Sequence, residues 1–420
     1  MDARMVSRRG VLAAAATVAV GGLAGCGSVA GRDGSSSGGL LPDLFDTPTE
    51  GEGSDGASPE TPEPEPEKSA AELALERLTL EQKVAQLFIV TPEQLTGASR
   101  ATVAGAMTRE ALVQIPVGGL CYFSQNIVGG QQLRDLLAGT RELAAASGVG
   151  IAPFLTVDEE GGSLVARVAN SGYFDVPRYP NMAEIGATGD AARAAEVGTA
   201  IGSYLHDIGF NIDFAPDADV LTNPANPVIG ARSFGSDPDL VASMVAAEVE
   251  AMLKTGTLPC IKHFPGHGDT AGDSHTGAVY TNRTRAEIEA AEFKPFIAGI
   301  DAGCPLVMVG HIETPNFAAD GLPASLSLTM LTDILRGQLG FKGAIVSDSF
   351  SMGAITQNYS PADAAVRYFQ AGGDILLMPQ DLRAAYDGVL AAVQAGSLTE
   401  ARIDESVLRA LAAKETAGLL

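Results

Sequence analysis

The chain contains no tryptophan, and among its 420 residues there are only 15 phenylalanines and 8 tyrosines. Grooves that grip long polymers lean on broad aromatic platforms, so this scarcity favours a small pocket over an extended cleft. Basic residues are also few, 27 Lys and Arg against 51 Asp and Glu, for a net charge of −24. Nucleic-acid binding is thereby excluded, because phosphate contacts need clustered cations. Four cysteines are too few for a disulfide scaffold, and Cys121, Cys260 and Cys304 each lie in an apolar run (GGLCYF, LPCIKHF, DAGCPLVMV). They read as small buried hydrophobes, since a reactive thiolate needs an electropositive, accessible setting. The apolar stretch at the N-terminus, Val11 to Val20, falls well short of the roughly 20 residues a membrane span requires.

That N-terminal stretch has another use. Ser7-Arg8-Arg9, the short apolar run and Leu23-Ala24-Gly25-Cys26 have the layout of a twin-arginine export signal ending in a lipobox, with Cys26 the residue that would carry lipid. Residues 1–26 are therefore expected to be a signal peptide, and the mature protein to be exported and held at the outer face of the cell membrane by its lipid alone. Residues 27–70 are rich in Gly, Ser, Pro and acidic side chains and poor in large apolar ones. Such a segment cannot bury enough surface to offset its conformational entropy and is expected to be a disordered acidic tether.

From about residue 71 to residue 420 short β-like runs alternate with Ala-rich amphipathic stretches. The candidate strands are Leu87–Val90, Gly119–Phe123, Phe154–Val157, Ile212–Ala215, Leu258–Lys262, Leu306–Gly310, Ala344–Ser347 and Ile375–Met378. Eight strands separated by helix-sized segments fit a single α/β domain, a (β/α)8 TIM-type barrel. A doubly wound open sheet would want a glycine-rich phosphate loop after its first strand, and none is present there. Polar residues cluster where the runs stop: Asp158, Asp217, Lys262 with His263, His311 and Asp348. In a barrel all these ends surround one mouth, so residues 190 positions apart in sequence become neighbours.

The densest chemistry lies in KHFPGHGDTAGDSH, Lys262 to His275, which holds three of the chain's five histidines. Within it, Asp273 stands two residues before His275, close enough to hold the imidazole and make the pair a proton donor. Asp348, in GAIVSDSFSM, sits where an apolar run meets a turn of small residues and can serve as a nucleophile, a metal ligand or a helix cap. A carboxylate nucleophile facing a proton donor is the apparatus for breaking a glycosidic bond with retention. A histidine donor in place of a second carboxylic acid leaves the acceptor side less negative, so phosphate is an alternative acceptor to water.

Four motifs in order, DEEGG at Asp158–Gly162, GARSF at Gly230–Phe234, KHFPGHGDTAGDSH and SDSFSM, resemble the NagZ-like β-N-acetylglucosaminidases of glycoside hydrolase family 3, including actinobacterial lipoproteins. The resemblance spans residues 72–420 and implies that Asp348 is the nucleophile and His275, assisted by Asp273, the mobile acid/base. It further implies that Asp158, Arg232, Lys262 and His263 hold the sugar, joined by Arg167, which falls one residue later than the family's spacing. Gly266 and Gly268 are read as letting the loop turn sharply and move, and His267 and Asp269 as scaffolding. The β-glucosidases of this family usually add a domain that supplies a glutamate acid, whereas here an Asp-Ser-His element is present. The expected substrates are small N-acetylglucosaminides and muropeptides, with no cofactor or metal implied and a monomer expected.

Two other classes compete. A metal hydrolase could draw on His263, His267, His275, Asp269 and Asp273, although barrel metallohydrolases commonly begin with His-x-His on the first strand and Leu87–Val90 is followed by none. A non-catalytic lipoprotein that binds cell-wall fragments would be equally exported, tethered and acidic.

Overall fold

The computed structural model describes residues 67–420; the expected signal peptide with Cys26, and residues 27–66 of the expected tether, lie outside the described residues. Ser69 caps a helix, Ala70–Leu75, by accepting from the Glu72 amide, and Thr79 does the same for Leu80–Gln86.

Eight parallel strands follow: β1 Phe88–Val90, β2 Gly119–Cys121, β3 Phe154–Val157, β4 Ile212–Asp213, β5 Leu258–Phe264, β6 Leu306–Val309, β7 Ala344–Ser347 and β8 Leu376–Leu377. Each pairs with its neighbours in chain order, and β1 pairs with β8. A parallel bridge between Val346 and Ile375 links β7 to β8, so the sheet closes on itself. Helices follow the strands: α1 Ala106–Gln114, α2 Gly130–Ala145, α3 Ala191–Ile208, α4 Pro238–Leu253, α5 Phe293–Asp301, α6 Thr329–Gln338, which is wound as a π-helix, α7 Pro361–Ala371 and, after β8, α8 Leu382–Gln394. The helix Glu400–Thr416 ends the chain's regular structure. Strands covered by helices outside and side chains inside are buried on both faces, which is why the sequence writes them as continuous apolar runs rather than alternating ones.

All eight strands fall where the apolar runs predict, but several differ in length for identifiable reasons. β4 stops at Asp213 because the chain soon reaches Pro216, which has no amide to donate to a ladder. β2 stops at Cys121 because Asn126 turns back and takes the Phe123 amide at 2.8 Å. β5 runs two residues further than expected, past Lys262 through His263 to Phe264, before Pro265 ends it. A buried strand can carry a lysine and a histidine only where carboxylates meet them, and here they do.

Among the described residues no helix is long and apolar enough to cross a membrane. Cys121, Cys260 and Cys304 are free and buried, as their apolar contexts predict. Burial pushes the Cys121 thiol up to about 12, so it carries no thiolate at neutral pH.

Candidate active site

The strand ends surround a cavity of about 560 Å³ at the C-terminal mouth of the barrel. Its lining includes Asp158, Arg167, Arg232, Lys262, His263, His275 and Asp348, all singled out from the sequence, together with Glu160, His267 and Ser274. Asp273 stands just behind, on the loop that brings His275 to the rim.

One wall is built by the turn after β3. In DEEGG the residues alternate as in a strand, so Asp158 and Glu160 reach the cavity while Glu159 points behind it. There Glu159 accepts from the Val168 and Ala169 amides at 2.7 and 2.8 Å and from the Tyr204 hydroxyl at 2.7 Å. That grip fixes the strand Val165–Ala166 and, with it, Arg167. The guanidinium of Arg167 lies 4.5 Å from the Phe123 ring centroid and donates to Asp158 Oδ2 at 3.1 Å. Its later place in the sequence therefore does not take it away from the cavity.

Lys262 rises from β5 between the two carboxylates. Its ammonium lies 2.8 Å from Asp158 Oδ1 and 2.6 Å from Glu160 Oε1. Arg232, in the short helical turn Gly230–Arg232, donates to both oxygens of Glu160 at 2.8 and 2.7 Å. The result is an alternating chain of charges, Arg167–Asp158–Lys262–Glu160–Arg232. Burial alone would raise the Asp158 carboxyl, but Lys262 and Arg167 outweigh it and hold the group well below the usual carboxylate range. Glu160 is held down likewise, by Arg232 and Lys262 against burial. A set of ionised groups this closely paired in a pocket is suited to gripping a ring of hydroxyls, since each charge can exchange part of a pairing for a sugar oxygen.

Asp219 organises the opposite wall. It is completely buried, and its Oδ2 accepts from His263 Nδ1 at 2.7 Å while its Oδ1 accepts from the amides of His263 and His267. Burial opposes its charge, but His263 and His267 hold the carboxyl below its ordinary range. Neighbouring Asp217 lies at the other extreme, pushed well up by burial and by the charge of Asp219. Asp217, Asp219 and His263 form the one group among the described residues close enough to hold a metal ion. Asp219 is already engaged on both oxygens by His263 and His267, which argues for a structural pair. The five residues that would have made a metallohydrolase do not assemble: Asp269 accepts from the Thr281 hydroxyl, and Asp273 is committed to His275.

Asp348 follows β7 directly, and its amide donates to Val309 O on β6 at 2.9 Å. Burial would push its carboxyl up, yet His263 and His311, the Ser349 amide at 2.7 Å and Lys262 together bring it below the ordinary value. It is therefore an ionised, half-buried carboxylate at neutral pH, the state a nucleophile needs. His311 does not join it in the cavity lining: fully buried, it lies 2.9 Å from Ser349 O and 2.8 Å from Ser325 Oγ, bracing the turn.

The acid/base candidate sits on the loop after β5. His275 Nδ1 donates to Asp273 Oδ1 at 2.8 Å, and the His275 amide donates to the same oxygen at 2.9 Å. This leaves Nε2 as the free nitrogen. The Asp273 carboxyl is lowered, because the hydrogen bonds and charge of His275 outweigh its slight burial. His275 is largely exposed, with 67% of its side chain open. At the loop's base, Gly266 adopts φ +128°, and a Cβ there would come within 2.4 Å of Glu292 Cγ; one on Gly268 would come within 1.9 Å of Val220 O. These glycines permit the turn at Gly266 and the close packing on which the base of the loop rests.

Sequence reasoning missed two members of the site. Glu160 was within reach, since a residue two after Asp158 on an extended segment shares its face. Asp219 gave no such signal, because only the fold shows that it meets two histidines more than forty residues away.

A barrel with an ionised carboxylate and a carboxylate-held histidine at its mouth, beside a sugar-sized cavity, has the form of a glycosidase. The chain belongs to glycosyl hydrolase family 3: residues 79–413 match the "Glycosyl hydrolase family 3 N terminal domain". It is 36% identical over 289 residues to beta-hexosaminidase A of Pseudoalteromonas piscicida, covering 65% of this chain and 48% of that enzyme, so it spans about half the relative's length. It is 32% identical over 377 residues to beta-hexosaminidase LpqI of Mycobacterium tuberculosis, covering 86% of this chain and 90% of LpqI. Among solved structures, it resembles a family 3 beta-N-acetylglucosaminidase from Paenibacillus sp. str. FPU-7 (TM-score 0.76, 38% identity, 81% of this chain and 63% of that one). It also resembles a beta-N-acetylhexosaminidase from Beutenbergia cavernae (TM-score 0.71, 32% identity, 80% and 99%).

Proposed function

We propose that the chain is a retaining exo-β-N-acetylglucosaminidase that releases terminal, non-reducing N-acetylglucosamine from small glycosides and peptidoglycan fragments. The observation that carries this reading is that Asp348 and the Asp273-held His275 line one cavity whose floor is the paired Asp158, Lys262, Glu160 and Arg232. The floor and His263 take the hydroxyls of the terminal sugar. Asp348 attacks the anomeric carbon while His275 Nε2 gives its proton to the departing oxygen. The glycosyl-aspartate then loses its sugar to a water that His275 deprotonates, restoring the β configuration.

Hydrolysis is favoured over transfer to phosphate because the relatives that share both sequence and length are named hexosaminidases. The N-terminal export signal and Cys26 make the protein an extracytoplasmic lipoprotein in this reading, working as a monomer near the cell wall.

The test is the purified protein with an aryl β-N-acetylglucosaminide. Wild type should release the aryl group and Asp348→Ala should lose activity by at least about 10³-fold, in line with removal of a covalent nucleophile. No release by wild type, or equal release by Asp348→Ala, overturns the proposal. Running the reaction in phosphate buffer and assaying for sugar 1-phosphate decides the acceptor, and mass spectrometry of the membrane-extracted protein decides whether Cys26 carries lipid.

A further inference from the structure

The loop bearing His275 is clasped from two sides. On one side, His267 Nε2 lies 3.3 Å from the hydroxyl of Ser274, the residue between Asp273 and His275. On the other, three successive carbonyls of the loop are taken by the segment that follows Asp348. The Gly353 amide donates to His275 O at 3.1 Å, the Ala354 amide to Ser274 O at 3.2 Å, and Gln357 Nε2 to Thr276 O at 2.9 Å. These amides belong to the first turn of the helix Gly353–Thr356, which no side chain caps. A Cβ on Gly353 would come within 2.9 Å of both His275 O and Thr276 C, so the loop and the helix touch backbone to backbone.

From this we infer that the turn Gly353–Gln357 is the seat that sets the acid/base histidine in register with the nucleophile, with Gly353 and Gln357 acting as positioning residues. The inference rests on the reading of Asp348 and His275 given above and adds a physical link between them. The carboxylate and the seat are carried by one short stretch, Asp348 to Gln357, leading off the end of β7. Any displacement of that stretch moves the acceptor of the sugar and the donor of the proton together, which preserves their spacing. Two of the seat's three donors are backbone amides, which lose no side-chain entropy when engaged, and the seat leaves the imidazole ring itself free.

The seat matters only for steps that need proton transfer, and this separates it from a general structural role. Gly353→Ala and Gln357→Ala are compared with wild type on two β-N-acetylglucosaminides, one with a dinitrophenyl leaving group, which departs without protonation, and one with an alkyl leaving group, which does not. For Gly353→Ala, kcat/KM on the alkyl glycoside should fall on the order of 10²-fold, the lower end of what acid–base catalysis contributes, while kcat/KM on the dinitrophenyl glycoside stays within about threefold. With the dinitrophenyl substrate kcat should fall, because the second half-reaction still needs the base, and added azide should restore it. Gln357→Ala, at an exposed position, should show the same pattern more weakly. Equal proportional losses on both substrates, or no loss on either, overturn the inference. Failure of the underlying reading looks different: wild type would cleave neither glycoside, or Asp348→Ala would cleave both.

Discussion

Glu248 offers the most demanding check on the energetics of this barrel. It lies in α4 where that helix meets α3, 1% exposed, and neither of its carboxyl oxygens has a hydrogen-bond partner. The contact is close: a Cβ on Gly198 of α3 would come within 2.6 Å of Glu248 O and 2.9 Å of its Cγ. Burial, helped by the nearby charge of Glu160, pushes the carboxyl up from 4.5 to about 8. At about 1.4 kcal/mol per unit, keeping the ionised form in the fold costs on the order of 5 kcal/mol. Because the folded pKa is the higher one, the fold keeps a proton that the unfolded chain releases. The stability this group contributes is whole below about pH 4.5 and is lost as pH rises to about 8. Glu248→Gln cannot ionise. Its stability relative to wild type should improve from about pH 5 to pH 7.5 by roughly 3 kcal/mol, a rise of several degrees in relative melting temperature. Urea unfolding followed by circular dichroism at both pH values measures this, with all other titrating groups common to the two proteins. Parallel pH curves for the two proteins would refute the reasoning, since Glu248 would then be ionised and compensated in the fold.

Lys414 should show the mirror image: fully buried and touching only Gln86 Oε1 and Ala152 O as hydrogen-bond acceptors, it is lowered by burial from 10.5 to about 7. The stability of the fold is then lost as pH falls from about 10 to 7, so Lys414→Met should gain on wild type by a few kcal/mol over that interval in the same unfolding assay. Asp219→Asn, which strips the counter-charge from His263 and weakens the hold on His267, should lower kcat/KM about 10- to 100-fold in steady-state kinetics and cost about 3 kcal/mol in unfolding. Glu160→Gln breaks the bidentate pair with Arg232 and one of the Lys262 pairs, and should raise KM more than it lowers kcat, because it disturbs the groups proposed to hold the sugar in both ground and transition states.

The eight strands were legible because a parallel barrel buries both faces of every strand and so leaves uninterrupted apolar runs. Asp158, Lys262, His263 and Asp348 were legible because they interrupt or end those runs. His275 and Asp273 announced themselves by spacing alone. What the sequence concealed are the relations that depend on which loops meet. Asp219 reads as one acid among several in FAPDADV, and only the fold sets it against two histidines on β5 and its loop. Gly353 reads as a turn glycine after SFSM, and only the docked loop shows that its missing Cβ makes room for another backbone. The extension of β5 past Lys262 through His263 to Phe264 was also hidden, since a lysine normally signals the end of a buried strand. Carboxylates contributed by distant turns change that rule locally.

The pairing along the cavity floor has an electrical consequence. Arg167, Lys262 and Arg232 supply three positive charges and Asp158, Glu160 and Asp348 three negative ones, all bordering the same hollow. At distances larger than the spacing within the set, the six fields largely cancel, so the hollow itself adds little net charge to that of the acidic chain around it. An uncharged saccharide is neither drawn in nor repelled from afar, and dissolved salt has little to screen. For such a neutral glycoside, encounter is governed by diffusion and shape, and the rate of capture is nearly independent of the ionic composition of the medium.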